Sequence, residues 1–414
     1  MTTRPVIVVE DDPFPRMLKA FLDPTIEPQR LAALADFFAH DLPDFAGWLA
    51  QLRALAGPLY PADVRLAKNQ ETLRALLPEA IAVVTESLAI GATELAIAPK
   101  LKVVEKYGML LRDIDVAACE AKSIQVLSLR RRANISCAEH AMMLMLALSK
   151  KLHRLHGRIS IEQLRAAGYQ PKAFDTGYTP NSGWPRVPGM SILYGTTLGI
   201  IGFGEIGREI ALRAHAFGMR VICTQRTPIS AAEQRQWHVE YLAPEAVLVQ
   251  SDWLCIQLPA NAGTRNYLDQ AQFAQMKPGA KLINVSRAQV VNRDALLAAL
   301  RSGQLGGFAL DPQYEEPGRA DDELLGFENV ILTPHIGGST VEAQANIGTE
   351  VAEKLIDYSD NGTTINDQYE WDSYAHGGVA DYPLIYIGDD GNCSASSEIT
   401  VDIYGWEQGL GSGQ

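Results

Sequence analysis

The sequence predicts an α/β chain whose parallel sheets are shared between two domains. Three observations carry this reading. Short β-branched runs alternate with helical segments, the pattern of parallel α/β layers. Two such series are separated by a long stretch rich in Gly and Pro. The second series opens on a glycine turn set between an apolar run and a helix pattern. The length of 414 residues suits two domains, or three, at about 100–200 residues each.

Composition narrows the class. At 47% hydrophobic and 21% charged, global disorder, collagen-like repeats and coiled coils are disfavoured. No apolar run approaches the roughly 20 residues that span a bilayer. The opening MTTRPVIVVEDD reads as a first strand, because its apolar run is short and ends in acid. Cys119, Cys137, Cys223, Cys255 and Cys393 are scattered without a CxxC, so neither a disulfide framework nor a metal site is expected. A reducing, cytoplasmic location follows from that usage. The net charge of −13 argues against a general nucleic-acid binder. Residues 367–414 hold nine Asp or Glu and no Lys or Arg, which leaves 1–366 at −4.

In the first series, strands are expected at 5–10, 81–85 and 101–104, with helices at 17–22, 31–55 and 70–77. An apolar helix follows over 134–152, with Asn134 as its cap and basic residues near its end. A helix apolar on most faces is buried, which suits a hinge or an interface between domains. Residues 154–195 form a long connection of the kind engaged in function or with a partner. In the second series, strands are expected at 197–202, 220–224, 253–257, 281–285, 307–310 and 330–332.

The glycine turn is Gly202-Phe-Gly204-Glu205-Ile206-Gly207. The first glycine permits the tight turn, the second a close approach of a diphosphate, and the third close helix–strand packing. The N–H groups of Glu205 and Ile206, at the helix start, then face the phosphates. Strand–turn–helix context makes this a dinucleotide turn. About 20 residues on, an acid would bind the ribose of NAD. Here the chain reads Gln225-Arg226-Thr227. The neutral amide removes repulsion from a 2′-phosphate and the cation attracts it, so NADP is favoured over NAD.

Three blocks close later strands: INVSR ending at Arg287, LDPQYEEP with Asp311 and Glu316, and TPHIGGS with His335 and Gly337. An Arg, a Glu and a His on successive strand ends beside a nucleotide turn suit hydride transfer to a 2-oxo acid. A guanidinium grips the substrate carboxylate bidentately. An imidazolium donates a proton to the carbonyl oxygen, and a carboxylate beside it stabilises the charged ring.

These motifs, in this order, resemble the D-isomer-specific 2-hydroxyacid dehydrogenases, which include glyoxylate/hydroxypyruvate reductases. The resemblance runs over residues 80–366 and more faintly back to residue 5. It implies a Rossmann-type cofactor domain (134–337) inserted into a smaller flavodoxin-like substrate domain (1–133 and 338–366). It also implies Arg287 as substrate clamp, His335 as acid/base and Glu316 as its partner, with Glu315 as competitor for that last role. Leu258 and Pro259 are implied near the adenine, Asp311 near the nicotinamide carboxamide, and Gly337 beside the cofactor. Members are usually homodimers that embrace through a long excursion, which would account for 154–195.

Departures from the family pattern concern the substrate side. Lys106-Tyr-Gly-Met109-Leu110-Leu-Arg112 replaces a glycine-rich loop, so Met109, Leu110 and Arg112 join Arg287 as expected substrate contacts. Arg130-Arg131-Arg132 replaces a neutral turn, read either as a site for a second acidic group on the substrate or as a solvated basic turn. The family-like body ends near 367. The tail has seven aromatics and eight glycines, with a hairpin expected from 382–391 and 398–404 and no catalytic role. The expected activity is reduction of a small 2-oxo acid to its D-2-hydroxy acid with NAD(P)H. The alternative is a nucleotide-sensing binding protein of the corepressor type, with little turnover.

Overall fold

The computed structural model describes residues 4–175, 177, 178, 183–340 and 343. The chain divides into two units, Met1–Asp367 and Gln368–Gln414, and the described residues belong to the first. The part of the expected substrate domain at 344–366 and the expected tail hairpin lie outside the described residues.

β1 (Val6–Glu10) sends Ile7 and Val9 into one core and Val8 into another, so both faces of its sheet are covered. With β2 (Asp63–Ala67), β3 (Ala82–Thr85), β4 (Val103–Lys106) and β5 (Gln125–Ser128) it forms a parallel sheet in the order β2-β1-β3-β4-β5. The second sheet contains β6 (Thr197–Ile201), β7 (Arg220–Thr224), β8 (Glu240–Tyr241), β9 (Trp253–Ile256), β10 (Ala280–Asn284), β11 (Leu305–Leu310) and β12 (Val330–Leu332). Its order is β12-β11-β10-β9-β6-β7-β8, again parallel. Strand order reverses between β6 and β9, and ligands in such sheets bind beyond the carboxyl ends at this switch point. The α/β class holds in full.

The long helix Arg132–Lys150 leaves β5 and enters the core of the second sheet. Its Ala138, Ala141, Leu144 and Met145 share that core with Ile210, Ala211 and Ala214 of the helix Glu205–Ala216. Alanines on both faces let the two helices approach closely, and the helix is buried as its apolar faces lead one to expect. No helix among the described residues is long and apolar enough to cross a membrane.

Several expectations need correction. The single helix over 31–55 is two, Pro28–Phe38 and Phe45–Leu55. The second starts where the Asp44 carboxylate accepts the Gly47 N–H at 2.9 Å, just after Pro43. Asn134 does not cap the long helix: it lies inside it, with its amide turned to another partner described below. The connection 154–195 contains a short helix, Ile161–Ala166, opened by a Ser160–Gln163 capping box. β2, β5 and β8 were missed because each is short and carries polar residues, among them Asp63, Arg65, Gln125 and Glu240.

Candidate active site

The glycine turn sits at the end of β6. Gly202 has φ +94, and a Cβ there would meet the Gln257 carbonyl oxygen at 2.4 Å. A Cβ on Gly207 would meet the Gly202 oxygen at 2.7 Å. A Cβ on Gly204, by contrast, would meet nothing within 4 Å. The outer two glycines are therefore demanded by the chain's own packing, while the middle one leaves open space at the start of the helix Glu205–Ala216. No side chain caps that helix, which leaves backbone N–H groups for an anion. These residues fit a diphosphate.

The ends of β7 and β9 flank this turn. The Gln225 amide donates to the Thr227 carbonyl at 2.8 Å, and Tyr241 donates to the Gln225 carbonyl at 3.0 Å. Arg226 and Thr227 are exposed, and Arg226 makes no ion pair among the described residues. Leu258 lies half-buried under Gly202, whose built Cβ it would touch at 3.1 Å, and Pro259 is exposed beside it. Sequence reading missed Arg208. It is buried behind the turn and donates to Phe203 and to Glu233, fixing the start of the helix that follows the 225–230 loop.

Asn284 closes β10. Its side-chain oxygen accepts from the Ser286 N–H and hydroxyl at 3.0 and 2.9 Å, and its amide donates to the Arg287 carbonyl at 2.8 Å. This turn presents the Arg287 side chain to solvent, where it donates to the Ser286 carbonyl at 2.6 Å. Asp311, 2% exposed at the end of β11, accepts from the Thr333 hydroxyl (2.6 Å), Ile336 N–H (2.9 Å) and Gly337 N–H (2.8 Å). Its own carbonyl accepts the His335 N–H at 3.0 Å. His140 of the long helix adds a contact to the same carboxylate at 3.3 Å. Burial raises the Asp311 carboxyl, but the His140, Thr333, Ile336 and Gly337 donors outweigh it and hold the group well below the usual carboxylate range. Both of its oxygens are thus engaged in shaping the turn that carries His335.

His335 occupies the left-handed region, φ +57. Its Nδ1 lies 2.8 Å from a Glu316 carboxylate oxygen, with both side chains nearly half exposed. That same oxygen accepts the Gln313 N–H at 3.0 Å, and the Gln313 amide donates to the Asp311 and Thr333 carbonyls. Glu316 meets the histidine; no contact between Glu315 and His335 is seen. No partner of the His335 Nε2 is seen among the described residues. Gln313 and His140 were not found from sequence; the spacing of Gln313 in DPQYEE was the one available signal.

On the substrate side, the reading of Arg130 and Arg131 is corrected. Arg130 donates to Glu209 at 2.6 and 2.8 Å, and Arg131 to Glu205 at 3.1 and 2.8 Å. These arginines are neither a free anion site nor a solvated turn, because the helix after the glycine turn supplies their counter-ions. Burial raises the Glu209 carboxyl, and Arg130 and Arg213 more than reverse that shift. The Met109 N–H donates to Glu205 at 2.7 Å and the Leu110 N–H approaches the same oxygen at 3.4 Å, which ties the backbone of this loop to the helix after the glycine turn. Arg112 is exposed, makes no ion pair among the described residues, and lines a cleft of about 190 Å³ with Leu110, Lys106, Arg131, Gly204 and Glu205.

Residues 142–337 match the NAD binding domain of D-isomer specific 2-hydroxyacid dehydrogenases. The chain belongs to that family. Among its relatives, the glyoxylate reductase of Pyrococcus furiosus is 35% identical over 261 residues, covering 63% of this chain and 73% of that protein. The hydroxypyruvate reductase of Thermotoga maritima is 32% identical over 291 residues, 70% of this chain and 88% of that protein. The fold is shared with apo D-mandelate dehydrogenase of Rhodotorula graminis, at TM-score 0.50 and 22% identity over 86% of this chain and 94% of that one.

Proposed function

We propose that the chain reduces a small 2-oxo acid to its D-2-hydroxy acid with a nicotinamide dinucleotide. The observation that carries this is the His335–Glu316 pair, 2.8 Å apart in the segments after β11 and β12 of the sheet whose β6 ends in the open glycine cradle. The bound cofactor supplies the hydride. Arg287 grips the substrate carboxylate and turns the carbonyl toward His335. Nε2 of His335 donates the proton that the developing alkoxide takes up, while Glu316 holds the ring through Nδ1. Relatives named for reductase activity support turnover over a corepressor-like role.

NADPH is the proposed donor, because Arg226 and Thr227 are exposed after β7, Arg226 makes no ion pair among the described residues, and Gln225 brings no negative charge. We assign 1–133 with 338–366 to the substrate domain and 134–337 to the cofactor domain. Arg112 remains the candidate for a second acidic group on the substrate. A homodimer is supported by an apolar groove of about 620 Å³ lined by Met142, Met143, Leu146, Leu152 and Phe217. A cytoplasmic setting suits the free thiols of Cys119, Cys137, Cys223 and Cys255.

Absorbance at the reduced-nicotinamide band, with NADPH and NADH in parallel, tests this on glyoxylate, hydroxypyruvate, phenylpyruvate and 2-oxoglutarate. Faster NADPH oxidation is expected. Faster NADH oxidation overturns the cofactor preference alone, and no turnover by folded protein on any acid overturns the reductase reading. Arg112→Gln should lower activity on dicarboxylic acids more than on monocarboxylic ones; equal losses remove the second-acid role.

A further inference from the structure

The glycine turn carries an acid where a diphosphate would sit. Glu205 follows Gly204 at the first helical position, and both line the same cleft. A helix start attracts one anion, but a dinucleotide brings two phosphates to N–H groups beside a carboxylate already there. Like charges at that distance repel unless one is cancelled. The cancelling group is on the other sheet. Arg131, in the turn after β5, places Nε and Nη2 at 3.1 and 2.8 Å from one Glu205 oxygen. Asn134 donates to that oxygen at 2.6 Å, and the Met109 N–H to the other at 2.7 Å. Arg131 is itself held in place: its guanidinium lies over the Tyr107 ring at 5.0 Å and 4.0 Å from Glu86. The remaining charges on the cleft wall, Lys106 and Arg112 against Glu86 and Asp113, balance one another.

We propose that Arg131 is a positioning residue for dinucleotide binding, which cancels from the first sheet the charge of the acid standing in the phosphate turn of the second. The inference rests on the cofactor reading above. It ties nucleotide affinity to the clasp between the two sheets, since every donor to the Glu205 carboxylate named here comes from segments 109–110 and 131–134. Separating the sheets would bare a carboxylate beside the phosphate cradle and weaken the hold on the nucleotide.

The test is the equilibrium Kd for NADPH and NADH without substrate, read by nucleotide fluorescence, for the full chain and four variants. Arg131→Met should weaken binding by about tenfold or more, the consequence of an uncompensated charge near the phosphates. Glu205→Gln should bind as tightly as the wild type or more tightly, with a steeper salt dependence. The double variant Arg131→Met/Glu205→Gln should return to within about threefold of wild type, because it removes attraction and repulsion together. Arg131→Lys, which keeps the charge, should stay near wild type. A double variant as weak as Arg131→Met overturns the proposal, because a clasp that only fastens the sheets is not repaired by a second cut. Weakened binding in Glu205→Gln, which does not depend on Arg131→Met folding, overturns it as well. A folded wild type that binds neither nucleotide fails differently: it removes the cofactor reading itself.

Discussion

Asp311 and Glu205 are both buried acids surrounded by donors, yet they differ in where the donors come from. Asp311 is served mainly by its own sheet: Thr333, Ile336 and Gly337 follow β12, and His140 of the long helix joins them. Glu205 is served by residues 71 to 96 positions away, on segments attached to the other sheet. The first arrangement fixes the shape of one turn. The second fixes one sheet against another, so its strength depends on their separation. A carboxylate of the first kind shapes the turn that carries His335, and one of the second kind ties two sheets together.

The largest effect should come from breaking the first. Asp311→Asn keeps one acceptor but loses the charge that faces Ile336, Gly337 and Thr333. It should cost about 3 kcal/mol of stability and lower kcat at least tenfold, read by denaturant melts and steady-state rates. A loss confined to stability would separate Asp311 from the His335 geometry.

Next in size is a contrast within the glycine turn. Gly207→Ala forces a Cβ to within 2.7 Å of the Gly202 oxygen and should cost about 1–3 kcal/mol. Gly204→Ala meets nothing within 4 Å, so Tm should hardly move while nucleotide Kd rises severalfold. Equal destabilisation by both would mean that the space at Gly204 serves packing.

Acid sharpens the comparison. The Asp311 carboxyl is depressed on folding, so its contribution is fully present above the unfolded value of 3.8 and is lost as pH falls toward the lower folded one. The stability gap between wild type and Asp311→Asn should therefore narrow below about pH 4, as chemical melts from pH 6 to 2 would show. The smallest effect belongs to a residue outside either network. Arg226→Gln should leave Tm and the NADH Kd unchanged and weaken NADPH alone, by about threefold to tenfold. Parallel loss for both nucleotides would remove the 2′-phosphate role.

Much of the site was legible because its parts are local. Gly202, Gly204 and Gly207 act within six residues, and Arg287, Glu316 and His335 each follow a strand whose apolar run marks it. The preference for Glu316 over Glu315 rests on family resemblance, and Glu316 is the one found 2.8 Å from the ring. What sequence could not carry is pairing at a distance. Three successive arginines look like unsatisfied charge until Glu205 and Glu209, more than 70 residues on, are folded against two of them. Asn134 looked like a cap for the same reason: its partner lies on another helix. The short polar strands β2, β5 and β8 hide because their pairing is determined by neighbours in the sheet and not by their own alternation.

The backbone of His335 has a consequence for how this protein can be improved. At φ +57 a histidine sits where Asn or Gly is more at ease, so the position favours a residue that cannot do the chemistry. His335→Asn should abolish turnover and at the same time leave Tm unchanged or slightly raised. Selection for heat resistance alone would then drift toward an inert protein at this position, and any screen for hardier variants has to be run on activity.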